Sequence, residues 1–265
     1  MTDRVKNRAA IIFGGGQTPG ETIGNGRATA IVLAREGARL VIVDRDLAAA
    51  EETAGIIRGE GGQALAFAAQ ITEEQQVQDA IAACLSTYGR IDILHNNVGA
   101  SLALGDASAT NLTVEAFDRI VAVNLRGMWL ACKHAIPIMR EQRGGSIVNI
   151  SSMAVRSAYP YVGYKTTKAG VIALTENLAS ANASHGIRAN VILPGLMNTP
   201  MAIEPRVAAG VPREQVIAER DRNVPLGGKM GTGWDVAYAS LFLHSDEAGF
   251  ITGISLPVDG GTSVS

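Results

Sequence analysis

Short apolar segments alternate with longer amphipathic ones along almost the whole chain. The apolar segments cover residues 9–13, 39–43, 64–68, 91–94, 146–150, 189–193 and 254–258. Most of them lack the alternating polar positions of a strand with one wet face, so they predict strands covered by helices on both sides. The amphipathic segments that predict helices include residues 27–36, 73–88, 114–141, 164–184 and 234–244. This alternation predicts an α/β fold with a Rossmann-type, doubly wound parallel sheet of about seven strands.

The chain has 265 residues and contains no internal repeat, low-complexity tract or linker rich in proline and serine. A single domain over residues 1–265 is therefore predicted. Residues 200–230 interrupt the alternation, because they are rich in proline and arginine and contain no apolar strand. A long insertion after the carboxyl end of a strand is where a mobile substrate lid would lie, so this region is predicted to be one.

Composition excludes several classes of function. The net charge of -2 and the isoelectric point near 6.1 predict no nucleic-acid partner and no anionic membrane surface. No apolar run approaches the ~20 residues of a membrane span. The charged N-terminal segment MTDRVKNR lacks the apolar core of a secretory signal, and the two cysteines are typical of reduced core thiols, so a cytoplasmic location is expected. The four histidines are scattered without ligand spacing, which predicts no metal site.

A glycine-rich stretch, FGGGQTPGETIGNGRATA, follows the first apolar segment. Such a turn between a strand and a helix lets the backbone approach a pyrophosphate, and the helix N-terminus favours its negative charge. Gly14 and the Gly24-Asn25-Gly26 element are several residues further apart than in the usual fingerprint. Dinucleotide binding is still favoured over a plain turn, because Asp44 ends the next predicted strand, as the dinucleotide fold requires.

Asp44 also bears on the choice of cofactor. A carboxylate at this strand end can accept hydrogen bonds from the adenosine ribose hydroxyls, whereas the extra phosphate of NADP would meet like charge. The alternative interpretation is that Arg45 turns inward to hold that phosphate. NAD is predicted in preference to NADP.

A Tyr-x-x-x-Lys spacing follows the strand that ends in NISS. Residues four apart on a helix share one face, so a tyrosine and a lysine at this spacing can point into one pocket. A positive charge at ~4 Å in an effective dielectric of ~20 lowers a tyrosine pKa by about three units, which is the shift that acid/base chemistry near neutral pH needs. Both Tyr164/Lys168 and Tyr161/Lys165 satisfy the spacing, so spacing alone does not choose between them.

Taken in order, these motifs resemble the short-chain dehydrogenases/reductases, and the resemblance covers essentially the whole chain. The motifs are the Gly14–Gly26 loop, Asp44, Asn96-Asn97-Val98-Gly99, Asn124 in VAVNLRG, NISS at 149–152, YKTTK at 164–168, LPG at 193–195 with Thr199, and VDGG at 258–261. The match of YKTTKAGVIALT to the tyrosine helix of the family selects the pair Tyr164 and Lys168.

The resemblance implies roles for four catalytic residues. Tyr164 is expected to be the acid/base, and Lys168 to lower its pKa and hold the nicotinamide ribose. Ser152 is expected to hydrogen-bond the substrate oxygen, and Asn124 to support a water that leads to Lys168. The resemblance also implies cofactor contacts, in addition to Tyr164 and Lys168, from Gly14, Gln17, Asn25, Gly26, Asp44, Arg45, Gln70, Ile71, Asn97, Val98, Gly99, Pro194, Gly195, Met197 and Thr199.

The chain departs from the family pattern in several places. Phe13 stands where the family usually has threonine, Gln70 replaces the usual aspartate at the adenine, and Val98 replaces alanine. The serine pair lies one residue closer to the tyrosine than in the commonest form, which leaves Ser151 as an alternative to Ser152. None of these changes removes a catalytic group.

The resemblance favours hydride transfer between NAD(H) and a secondary alcohol or ketone. The expected pocket positions are mainly apolar with a few hydroxyls, which suits a small cyclic or aromatic substrate; they are Ala100, Ser101, Met153, Tyr159, Leu196 and the lid. A homotetramer is expected from the family habit. Two alternatives stay open: a catalytically silent nucleotide-binding or sensing protein, and an NAD-assisted epimerase or lyase.

Overall fold

Seven strands form one parallel sheet in a computed structural model that describes residues 3–265. The strands are β1 (Ala9–Phe13), β2 (Arg39–Asp44), β3 (Gln63–Ala68), β4 (Ile93–Asn96), β5 (Gly145–Ile150), β6 (Ile187–Pro194) and β7 (Ser255–Val258). Their order across the sheet is β3-β2-β1-β4-β5-β6-β7, and every neighbouring pair is parallel. The predicted Rossmann-type α/β fold is confirmed, as a single domain. Residues 1 and 2 of the charged N-terminal segment lie outside the described residues.

Helices cover both faces of the sheet. They are α1 (Asn25–Arg35), α2 (Leu47–Gly59), α3 (Glu74–Tyr88), α4 (Val114–Val121), α5 (Gly127–Glu141), α6 (Val162–Asn182), α7 (Pro200–Ala208), α8 (Arg213–Asp221) and α9 (Gly233–His244). Successive residues of a strand point to opposite faces, and β1 shows the result. Ile11 packs in the cluster that contains α3 and α5, whereas Ile12 packs in the cluster that contains α1 and α9.

The chain is helical over all of residues 114–141, as predicted, but this helix is not an α-helix throughout. A five-residue π-helical turn, Ala122–Arg126, separates α4 from α5. The turn holds Asn124, whose fully buried side chain bonds the backbone of Ala100 instead of facing solvent. A π turn is a frequent device for placing a functional side chain inside a helix.

The carboxyl ends of β1 and β4 define the functional edge of the sheet. The chain order reverses between these two neighbouring strands, because β2 and β3 lie on one side of β1 while β4 to β7 lie on the other. Ligands of open parallel sheets bind in the crevice at such a reversal. The loops that follow β1, β4, β5 and β6 all reach this edge.

Residues 200–230 contain α7 and α8, which the sequence analysis did not predict. The two helices and the segment after them enclose a small apolar cluster of Ile203, Val216, Val224 and Met230. The role of this region as a substrate lid stays a prediction.

The described residues were also searched for membrane spans and metal clusters. Among residues 3–265 no helix combines the length and the apolar character needed to cross a bilayer. The same residues contain no group of three or more His, Cys, Asp or Glu side chains suited to a metal ion.

Candidate active site

Tyr164 and Lys168 lie on one face of α6, close to the carboxyl end of β5. The Lys168 side chain is only 2% exposed, and its ammonium donates a hydrogen bond to the carbonyl oxygen of Ile150 at 2.7 Å. Lys168 Nζ is 5.6 Å from the centroid of the Tyr164 ring. The rival pair is not on one helical face, because Tyr161 precedes the first residue of α6 and Lys165 donates outward to the Ser157 carbonyl.

Burial shifts the pKa of Tyr164 upward, opposite to the lowering expected from the charge of Lys168 alone. Loss of hydration on burial raises the pKa of Tyr164 to about 12, and a hydrogen bond with the Ser152 side chain opposes the rise. Burial also lowers the pKa of Lys168 to about 8. A lysine charge beside the tyrosine favours the phenolate, but the desolvation that both groups suffer on burial outweighs it. In the protein alone Tyr164 is therefore a protonated phenol.

The two serines after β5 have different surroundings. Ser152 forms the side-chain hydrogen bond with Tyr164, and its Oγ accepts a bond from the Ala154 amide at 3.1 Å. Ser151 is 2% exposed and donates its hydroxyl hydrogen to the carbonyl oxygen of Lys168 at 2.7 Å. Ser151 therefore ties β5 to α6, and only Ser152 faces the tyrosine hydroxyl.

We expect Ser152→Ala to lower kcat by about 100-fold, because it removes a group positioned beside the Tyr164 hydroxyl. Ser151→Ala should lower the free energy of unfolding by about 1–2 kcal/mol, because it removes a buried hydrogen bond to α6. Its loss of kcat should be smaller than that of Ser152→Ala. Urea denaturation and steady-state kinetics on both variants measure this difference. A larger loss of kcat in Ser151→Ala would reverse the assignment.

Asn124 joins the loop after β4 to the catalytic helix. Its amide donates to the Ala100 carbonyl and its oxygen accepts from the Ala100 amide, both at 2.8 Å. The same amide lies 3.3 Å from Thr167 Oγ1 on α6. Next to this contact, a Cβ on Gly99 would lie 2.7 Å from Lys168 Nζ, so the lysine passes directly over that glycine. Asn124 thus has a structural role, and its support of a water stays a prediction.

Asp106 is a functional residue that the sequence analysis missed. It is 6% exposed, and its carboxylate accepts from the amides of Gly163 at 2.9 Å and Tyr164 at 2.8 Å. It also accepts from the hydroxyl of Ser101 at 2.9 Å and from the Ala107 amide at 3.0 Å. A carboxylate at the N-terminus of a helix is stabilised by the free amides and by the helix dipole. Asp106 therefore fixes the first turn of α6, which carries Tyr164.

Asp106→Ala should lower the free energy of unfolding by about 3 kcal/mol, because it leaves buried amides without an acceptor. It should also lower kcat, since the turn that carries Tyr164 loses its anchor. Asp106→Asn keeps only one of the two carboxylate oxygens and should give an intermediate loss of both quantities. Chemical denaturation and kinetics test this order, and equal stability of wild type and Asp106→Ala would contradict it.

The loop after β1 is packed too tightly for side chains. The Gly14 backbone is left-handed, with φ of +79°, and a Cβ on Gly26 would lie 2.0 Å from the Gly14 carbonyl oxygen. The Gly16 amide donates to the Asp44 carboxylate at 3.1 Å. Gln17 closes the loop by accepting from the Gly24 amide at 2.8 Å. The loop and the N-terminus of α1 thus form a narrow backbone surface beside Asp44.

The residues at this edge fit a dinucleotide. The residue before α1, Gly24, has no side chain to cap the helix, so the first amides of the helix are free to meet a phosphate. Asn25 Oδ1 is buried and has no hydrogen-bond partner among residues 3–265. Asp44 lies at the carboxyl end of β2, and Arg45 beside it is exposed. Free amides, an unpaired amide oxygen and a carboxylate match a pyrophosphate and a ribose.

The other predicted cofactor residues lie on both sides of this surface. The Asn97 amide donates to the Gly14 carbonyl at 3.0 Å, and Val98 also packs against Gly14. Gln70 is exposed after β3, and Ile71 beside it is 8% exposed.

The remaining predicted cofactor residues lie at the carboxyl end of β6 and in the segment after it. Pro194 ends that strand, and Gly195 comes directly after it. Met197 is 5% exposed and Thr199 is 7% exposed at the start of α7. Between them, Asn198 Oδ1 is buried without a partner among the described residues, a feature that the sequence analysis missed. Cofactor contact by each of these residues stays a prediction.

The residues between Thr18 and Ile23 pack against the predicted lid. A Cβ on Gly20 would lie 2.9 Å from Pro200 Cβ at the start of α7. Arg213 on α8 forms ion pairs with Glu21 in this loop at 3.3 Å and with Glu204 on α7 at 2.8 Å. These contacts therefore join the loop to α7 and α8.

The sequence profile of the family described as Enoyl-(Acyl carrier protein) reductase matches residues 21–263. The chain is 36% identical over 267 residues to 2,5-dichloro-2,5-cyclohexadiene-1,4-diol dehydrogenase LinX of Sphingobium indicum, covering 100% of this chain and 99% of that protein. It is 34% identical over 266 residues to levodione reductase of Leifsonia aquatica, covering 99% of this chain and 96% of that protein.

Solved structures agree with these relatives. A crystal structure described as a short-chain dehydrogenase/reductase of Burkholderia xenovorans superposes with a TM-score of 0.92 at 36% identity, covering 99% of this chain and 98% of the other. A crystal structure of levodione reductase superposes with a TM-score of 0.91 at 32% identity, covering 99% of this chain and 100% of the other.

Proposed function

Because the chain belongs to the short-chain dehydrogenase/reductase family, we propose that it is an NAD-dependent enzyme that interconverts a secondary alcohol and a ketone. Its relatives establish that it is an oxidoreductase that acts on CH–OH groups with NAD(P). The observation that supports alcohol–ketone chemistry at this site is the contact of Ser152 with Tyr164, one helical turn from the buried Lys168.

The proposed chemistry divides between cofactor and protein. A bound nicotinamide supplies or accepts the hydride. Tyr164 holds the proton that moves to or from the substrate oxygen, and Ser152 orients that oxygen by a hydrogen bond. Lys168, held by the Ile150 carbonyl, keeps a positive charge within 5.6 Å of the tyrosine ring. That charge favours the phenolate when the proton leaves.

We propose a small cyclic or aromatic substrate. The names of two relatives specify cyclic compounds, a cyclohexadiene diol and levodione. Here the Tyr159 ring lies 5.6 Å from the Tyr164 ring, and Met153 is buried on the same loop. An aromatic ring and an apolar side chain next to Tyr164 suit a ring-shaped substrate.

The decisive experiment is a panel of secondary alcohols and ketones, linear, cyclic and aromatic, assayed with NAD(H) and NADP(H) by nicotinamide absorbance and product analysis. The proposal expects turnover of cyclic members with net change of NADH. Tight NADH binding without any product would instead support the silent binding protein. Product without net change of NADH would support an epimerase or lyase. The presence of Asn124, Ser152, Tyr164 and Lys168 together argues against the silent protein.

Asp44 supports the preference for NAD. We expect Asp44→Ala to reduce the ratio of kcat/KM for NAD to that for NADP by at least about 10-fold, because it removes both a ribose acceptor and a like charge. Arg45→Ala is the matched control, and it should leave that ratio above one. A wild-type preference for NADP that Arg45→Ala abolishes would establish the opposite assignment.

We further propose that the protein is a homotetramer in the cytoplasm. The support for self-association is a set of large apolar side chains left exposed on the single chain, including Trp129, Tyr238 and Phe250. Light scattering of the purified protein measures the number of subunits.

A further inference from the structure

Two partly buried arginines of the region 200–230 form no ion pair with a carboxylate among residues 3–265. They are Arg206 on α7 and Arg220 on α8, and both are partly buried. Among residues 3–265 neither forms an ion pair, whereas Arg213 on the same helix as Arg220 forms two. Partly buried guanidinium groups are normally paired with an anion. The packing of residues 200–230 therefore does not explain these two charges.

The contacts of Arg220 are weak for a guanidinium. Its Nε donates to Met230 Sδ at 3.1 Å, and its Nη2 donates to the Met197 carbonyl at 3.4 Å. A thioether is a poor acceptor, and a guanidinium has five N–H groups to place. Burial, together with the nearby charge of Arg206, lowers the pKa of Arg220 to about 10. Asp221 lies close by but accepts from the Met230 amide and forms no ion pair with Arg220.

Both arginines lie near Tyr159, and Arg220 also reaches the loop after β6 at Met197. Tyr159 links them to the acid/base: its ring is 5.6 Å from the Tyr164 ring, and its hydroxyl is 3.3 Å from Ser101 Oγ. Burial raises the pKa of Tyr159, and the positive charge of Arg206 opposes this rise. Arg220 also interacts electrostatically with the Tyr159 hydroxyl.

The nearest buried carboxylate does not neutralise these charges. Asp106 is already the acceptor for the Ser101 hydroxyl, for the Ala107 amide and for two backbone amides at the start of α6. Arg206 and Arg220 therefore form a border of two positive charges near Tyr159, with N–H donors left free although Arg206 Nη1 donates to the Ala202 carbonyl. Such a border favours an anionic group on the molecule that enters it.

We propose that Arg206 and Arg220 bind a carboxylate of the substrate, so that the enzyme acts on cyclic hydroxy acids and the corresponding keto acids. This inference rests on the proposed function, because it places the reacting carbon beside Tyr164. It adds the requirement that the ring-shaped substrate carry a negative charge. The guanidinium donors meet the carboxylate oxygens while Tyr159 packs against the ring.

The first test uses two probes that differ in one group, the charged hydroxycyclohexanecarboxylate and its neutral methyl ester, with NAD as cofactor. We expect kcat/KM for the acid to exceed that for the ester by at least about 10-fold, the size of a charge-assisted hydrogen bond. Arg220→Gln and Arg206→Gln should each bring the ratio towards one, and Arg220→Lys should keep part of it. Arg222→Gln is the matched control, because Arg222 is exposed two residues further on and bonds only the Ala218 carbonyl.

The second test needs no turnover. Calorimetric titration with cyclohexanecarboxylate and with its neutral carboxamide, in the presence of NADH, should show the carboxylate binding at least about 10-fold more tightly. Arg220→Gln should remove the difference, and Arg222→Gln should retain it. Equal binding of the two compounds by wild type would overturn the inference and leave the proposed function intact. Charge-selective binding with no alcohol or ketone turned over would instead reject the proposed function.

Discussion

Tyr164→Phe should lower kcat by about three orders of magnitude while NADH affinity stays within about twofold of wild type. The substitution removes the phenolic oxygen and keeps the ring, so the packing against Tyr159 at 5.6 Å is preserved. The oxygen is the only tyrosine atom that can hold a proton at the substrate. Steady-state kinetics with the best alcohol of the panel and fluorescence titration with NADH measure the two quantities.

Tyr161→Phe is the matched control for that experiment. Tyr161 belongs to the rival Tyr-x-x-x-Lys spacing, but it lies before α6, with its ring packed edge-on to Tyr159 at 5.4 Å. Loss of the Tyr161 hydroxyl should change kcat by no more than about threefold. Comparable turnover in Tyr164→Phe and wild type would end the assignment of the acid/base, whichever substrate is used.

The strands of the fold were predictable because their residues are buried on both faces. In β1 every residue from Ala9 to Phe13 is buried, and an uninterrupted apolar run is the sequence form of such a strand. The site residues on α6 were predictable for a related reason, because a helix fixes which side chains share a face. The match to the family motifs then selected the pair Tyr164 and Lys168 over the pair Tyr161 and Lys165.

Three features of the site depend on contacts between distant segments and left no local signal. Asp106 meets the amide of Gly163 across 57 residues of chain. Asn124 requires a π turn that its own segment, periodic as an ordinary helix, does not indicate. The raised pKa of Tyr164 comes from burial by the assembled fold. The unpaired Arg220 is the same kind of feature, since only the packed structure shows which cations have partners.

Gly26→Ala should weaken NADH binding by at least about 100-fold, the largest effect expected outside the catalytic residues. A Cβ at this position would lie 2.0 Å from the Gly14 carbonyl oxygen and 2.6 Å from Asn97 Nδ2. The first of these is backbone held by β1, so it cannot rotate away. The N-terminus of α1 must therefore move from the glycine-rich loop, and the amides that are proposed to meet the pyrophosphate move with it.

Gly24→Ala, two residues earlier, separates this steric effect from a general loss of glycine. Its backbone has φ of -79°, which alanine adopts freely, and a Cβ there would meet nothing closer than 3.6 Å. Calorimetric titration with NADH should therefore show a far smaller loss of affinity than in Gly26→Ala. Thermal unfolding of both variants checks that the fold is retained. If the two variants bind NADH equally well, the contact between α1 and the Gly14 carbonyl does not shape the cofactor site.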